Sequence, residues 1–104
     1  MTQQELYQGL SEIGLPISYH HFVESPALPY LVYLFSYSSD LIADGKNYKT
    51  ISNFQIELYS NKKDLANELK VENKLQDLGL PYFKTETWIE AEELYQTLYE
   101  VRIL

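Results

Sequence analysis

The sequence has no cysteine. That excludes disulfides, thiol catalysis and cysteine-based zinc sites. Its four glycines are scattered, so no glycine-rich loop exists to cradle a phosphate. No apolar run approaches the roughly 18 to 20 residues of a membrane span. The opening MTQQELYQGL is polar and has neither a basic start nor an apolar core, so it does not read as a signal peptide. Lysine and arginine are absent before Lys46, and after Lys84 the only base is Arg102. With a net charge of −7, the chain is a poor partner for a phosphate backbone.

What remains is an ordinary globular composition. The 104 residues are enough for one domain with a small core. All seven lysines lie between positions 46 and 84, and acids dominate on both sides of them. The asymmetry suits a solvated acidic surface, or pairing between an acidic face on one subunit and a basic one on the next. Ten tyrosines suit half-buried strands and protein contact surfaces alike.

Residues 2–14 read as a helix. Thr2 and Glu5 have capping-box spacing, Leu6, Leu10 and Ile13 share a face, and Gly14 and Pro16 end it. A short strand is expected over 17–22. A strong one, apolar on both faces, is expected over 30–37. Residues 38–50 are polar around a short apolar island, and Asp44-Gly45 signals a turn, so a long hairpin or protruding loop is expected. Residues 52–59 alternate, with Phe54, Ile56 and Leu58 facing inward and Gln55, Glu57 and Tyr59 outward. A second helix is expected over 63–78, capped by Asn61, with a stripe of Leu65, Ala66, Leu69, Leu75 and Leu78. Residues 82–91 read as a strand. The last segment fits either a strand or a helix, and the β-rich end Tyr99–Ile103 favours the strand.

No catalytic constellation stands out. His20 and His21 are adjacent, and on a strand they would point to opposite faces. The serines lack an elbow such as G-x-S-x-G. The acids at 90–93 read as an exposed turn. No catalytic, cofactor or metal residue is predicted. Glu72 falls near the middle of the second helix's apolar stripe, which marks it as a structural carboxylate. It either bonds locally, sits at the end of the stripe, or pairs with a strand lysine, a strand tyrosine or a neighbouring subunit. Glu68 and Glu57 are expected to be solvated or in contact with a neighbour.

The stretches LPYLVYLF, ADGKNY, FQIELYSNKKDLANELKVENKL, GLPYF and YQTLYEV resemble small tail-completion or tail-terminator proteins of long-tailed phages and prophages of Gram-positive bacteria. The likeness covers about residues 28–102, and Ile56-Glu57-Leu58-Tyr59, Lys63-Asp64, Glu68, Val71-Glu72 and Leu75 carry most of it. It implies an α+β subunit, with an antiparallel sheet of four to five strands packed against two helices in the order α-β-β-β-α-β-β. It also implies a ring of copies of the chain, commonly a hexamer, without enzymatic activity or cofactor. The expected partners are the tail-tube protein or the head connector, not a specific nucleic acid or a membrane. The expected location is the tail or neck of a virion assembled in the host cytoplasm. Candidate subunit contacts are Asp40, Asp44, Lys46, Asn47, Tyr48 and Lys49 in the polar loop, with Glu57 and Tyr59 on the strand after it. Two alternatives stand beside this role: a head–tail connector component, and an acidic binding module or nucleic-acid mimic.

Overall fold

The computed structural model describes residues 1–104. It is an α+β structure in which two helices cover one face of a five-stranded sheet, and a separate two-stranded hairpin projects from it. No helix is long and apolar enough to cross a membrane.

The first helix, α1 (Gln3–Ser11), begins as its sequence dictates. The Glu5 N–H donates to the Thr2 hydroxyl at 3.1 Å, and the Thr2 N–H donates to the Glu5 carboxylate at 3.0 Å. Each satisfies a backbone donor that the first turn leaves open. Leu6 and Leu10 are fully buried. Gly14, at φ +92°, turns the chain into strand β1 (Ile17–Tyr19).

Strand β2 (Tyr30–Ser38) lies beside β1 and runs parallel to it. The sheet is therefore mixed, where a wholly antiparallel one is expected from the sequence. The cause is the connection over residues 20–29. Two parallel neighbours need a crossover, and this loop supplies it without a helix. It folds over the sheet face opposite the helices and sets Phe22 edge-on against Tyr30, with centroids 5.2 Å apart.

The expected protrusion is a hairpin of β3 (Leu41–Ala43) and β4 (Lys46–Lys49). Asp44 and Gly45 both take positive φ, as a tight two-residue hairpin turn requires. The chain then enters β5 (Ser52–Ser60), antiparallel to β2, with Ser36 unpaired in a bulge of the β2 strand.

The second helix, α2 (Leu65–Asp77), is capped by Asp64, not Asn61: the Asp64 carboxylate accepts from the Asn67 N–H at 3.2 Å. Its buried stripe is Glu68, Val71 and Leu75. Leu65 and Leu69 are more than half exposed, contrary to the predicted stripe. The helix is rolled so that its carboxylates Glu68 and Glu72 meet Lys84 on the sheet, and Glu68 also meets Lys63, just before the helix starts. Strand β6 (Tyr82–Ile89), a single 3₁₀ turn (Glu90–Glu92) and strand β7 (Leu94–Ile103) complete the chain. The ambiguous last segment is a strand, and it lies inside the sheet. The strand order is β1-β2-β5-β7-β6.

The core lies between the helices and one sheet face. Leu31, Ile56, Leu58, Tyr99 and Val101 rise from the strands to meet Leu6, Leu10, Val71 and Leu75. The inward residues of β5 follow the predicted alternation, and those of β7 alternate likewise, because one side of each strand is covered by helix.

Candidate interaction surface

The hairpin is rooted by one carboxylate. Asp40 accepts a hydrogen bond from the Ser38 hydroxyl, one from the Asn47 side-chain amide at 2.7 Å and one from the Ile51 N–H at 3.0 Å. These donors, the Ser38 hydroxyl foremost, hold its carboxyl below the usual carboxylate range. The Ser39 N–H donates to the Ile51 carbonyl at 2.9 Å, and the buried Asn53 amide bonds to Ser39 and to the Tyr37 carbonyl. The root is fixed, while all seven strand residues beyond it are exposed. Among them are Leu41, Ile42 and Tyr48, the last 76% exposed.

Of the eight predicted contact residues, the structure gathers six on this arm. Asp44, Lys46, Asn47, Tyr48 and Lys49 belong to the hairpin itself, and Asp40 is its latch. Glu57 and Tyr59 stand apart, toward the far end of β5 on the sheet face that carries no helix. Five to seven residues of extended strand separate them from the hairpin end, about 17 to 24 Å. There the Tyr59 hydroxyl donates to Glu57 at 3.0 Å and accepts from the Gln96 amide at 2.9 Å. Burial pushes the Tyr59 hydroxyl up to about 12. Burial also raises the Glu57 carboxyl, although the Tyr59 hydrogen bond opposes it. Glu57 is thus partly covered within the chain, not freely solvated.

His20 and His21 are not on a strand. β1 ends at Tyr19, and His20 takes φ +68°. The turn brings the two rings together, with their Nδ1 atoms 3.1 Å apart. No cluster of three or more histidines, aspartates and glutamates is placed to hold a metal ion.

The helix-side carboxylates form the second notable group. Glu72 meets the Lys84 ammonium and the Tyr99 hydroxyl, each at 2.8 Å, which are the strand lysine and strand tyrosine its position allows. Burial pushes the Glu72 carboxyl up, but Lys84, Tyr99 and Tyr82 bring it below its ordinary value. Glu68, expected to be solvated or in contact with a neighbouring subunit, is instead buried within the chain, at 2% exposure. It takes Lys63 at 3.0 Å and Lys84 at 2.8 Å, and Lys63 also holds Glu86. Glu68 first and Glu72 second hold the Lys84 ammonium above its ordinary value. The sequence does not single out Lys63, Lys84 or Tyr99 as the partners of these carboxylates. The available signal was spacing: Glu68 precedes Val71 by three residues and Leu75 by seven, the rhythm of one helix face.

The chain matches no protein-family model and no curated protein.

Charge divides along the same lines as shape. Residues 41–49 hold one acid, Asp44, and two lysines, Lys46 and Lys49, for a net charge of +1. Since the whole chain carries −7, the remainder carries −8. The arm is a cationic, partly apolar projection on an acidic body.

Proposed function

We propose that this chain is a structural subunit that assembles with copies of itself into a ring. We propose further that the ring closes a phage tail tube at the head–tail joint. The observation that carries self-assembly is the hairpin: an anchored arm whose Leu41, Ile42 and Tyr48 stand in water. A two-stranded hairpin is marginal on its own, and covering these side chains against a partner stabilises both the arm and the contact. The phage role is supported by the resemblance of residues 28–102 to tail-completion and tail-terminator proteins.

The mechanism is geometric. The helices brace the sheet and the arm joins one copy to the next. The net charge of −8 outside the arm discourages a DNA backbone from adhering as it passes through the ring. The partners are then the tail-tube protein on one side and the head connector on the other, within the tail or neck of a virion.

Negative-stain imaging of the purified chain, alone and mixed with tail tubes, tests this. Closed rings, and rings seated at one end of the tubes, are the expected result. Rings that bind only capsid-side connector proteins would move the role to the neck. A stable monomer that binds a basic protein tightly would overturn the ring and favour an acidic binding module.

A further inference from the structure

Of the sheet's two outermost strands, the three-residue β1 and the eight-residue β6, the second is an unguarded edge. β7 pairs with one side of it, and no strand pairs with the other. Eight residues leave about 27 Å of edge, whose outward backbone N–H and C=O groups lack strand partners. Folded proteins protect such edges with proline, bulges or charged side chains. Within β6 there is no proline, and its register with β7 runs without a break. Its two charged residues are engaged on the helix side: Lys84 with Glu68 and Glu72, and Glu86 with Lys63. The other face alternates through Phe83, Thr85, Thr87 and Ile89, all uncharged, and Phe83 is 80% exposed.

We propose that the free edge of β6 receives the β3–β4 hairpin of a second copy, which adds its strands to the five-stranded sheet. The proposal rests on the self-assembly reading above and names the surface that meets the arm. The hairpin has the complementary property, because each of its strands also has a free outer edge. Charge favours the match. The hairpin brings Lys46 and Lys49, and β6 runs directly into Glu90, Glu92 and Glu93. Pairing two β6 edges with each other would leave Leu41, Ile42 and Tyr48 in water. Arm and edge are different patches of the same molecule, so the contact repeats head to tail and closes when the rotation allows.

A mixing experiment tests the proposal. One variant lacks Leu41–Lys49, which removes the arm and leaves the edge. The other carries Thr85→Lys and Thr87→Lys at exposed positions, which places charge along the edge and leaves the arm. Light scattering after size exclusion is expected to find the wild type assembled and each variant alone at the 12.2 kDa monomer mass. An equimolar mixture is expected at twice that mass, since one intact arm meets one intact edge. That recovery also demonstrates that both variants fold. An armless variant that still assembles, or a mixture that stays monomeric, overturns the proposal. Wild-type rings beside a monomeric mixture would sink the arm-to-edge contact and leave the ring standing. A 1:1 mixture beside open wild-type chains would do the reverse. A wild type that stays monomeric at millimolar concentration overturns both.

Discussion

The Lys84 ammonium lies 2.8 Å from the carboxylate of Glu68, whose side chain is only 3% exposed. Lys63 also holds this carboxylate, with both of its oxygens at 3.0 Å. Both lysines remain partly in water, so each contact alone is screened and contributes modestly. Losing both is different in kind, because a buried carboxylate would then have no cation. Lys63→Met and Lys84→Met are each expected to cost about 1 kcal/mol. The double variant is expected to exceed their sum by about 1 to 3 kcal/mol. Urea titration of the four proteins in this cycle measures the excess. An additive result would show that Glu68 is adequately solvated without them.

Glu72 gives the fold an acid limit. Its carboxyl is held below its ordinary 4.5 by Lys84 and the tyrosines, despite burial. A carboxyl lowered by folding contributes stability above its unfolded value, and that contribution fades as pH falls through the folded one. Glu72→Ala is therefore expected to cost about 1 kcal/mol at neutral pH. In a domain of this size that lowers Tm by roughly 4 to 8 °C. The deficit should shrink steadily below about pH 4.5, the ordinary value from which this carboxyl is lowered. A deficit that is constant across the acid range would mean that packing, not charge, is lost.

The legible parts of this fold are those where one element decides its own state. The capping box at Thr2, the turn at Asp44-Gly45 and the alternation of β5 all follow from neighbours in sequence. The hairpin was legible as a projection for the same reason. The roll of α2 was not. Leucines at 65 and 69 point to one buried face, but lysines 63 and 84 reward another, and only the tertiary pairing decides between them. The parallel placement of β1 depends likewise on the path of a ten-residue loop that carries no periodic signal.

Asp40 couples the arm to the body, and its loss should loosen one without melting the other. Asp40→Ala removes the acceptor for Ser38, Asn47 and Ile51. Amide exchange in residues 41–49 is expected to accelerate, while exchange in β5 and β7 stays unchanged. The same loosening should appear in the wild type under acid. The Asp40 carboxyl is lowered from 3.8, so its latch holds above that value and fails as pH falls through the lower folded one. Uniform acceleration across the sheet would contradict a local latch.

Gly9 sets how closely the helices approach. A Cβ built there would lie 2.8 Å from the Leu78 Cδ1 atom at the end of α2. The obstructing atom ends a flexible side chain, so Gly9→Ala should be tolerated, helped by a helix preference of up to about 1 kcal/mol. Gly9→Val cannot be absorbed by one rotation and is expected to cost about 1 to 3 kcal/mol. Leu78→Ala should recover part of that loss in the double variant. Equal costs with and without Leu78 would locate the clash elsewhere.

Glu57 should respond to pH in the opposite sense to Glu72. Burial raises its carboxyl above 4.5, and the Tyr59 hydroxyl offsets this only in part. As pH rises past the ordinary value, the unfolded chain ionises first, so this residue subtracts stability from there upward. Glu57→Gln keeps an acceptor for Tyr59 and removes the charge. Its Tm is therefore expected to exceed that of the wild type at about pH 7 and to equal it near pH 3, where the carboxyl is protonated in both states. Thermal melts across that range decide the matter. A lower Tm at neutral pH would mean that the charge itself is held by a favourable partner.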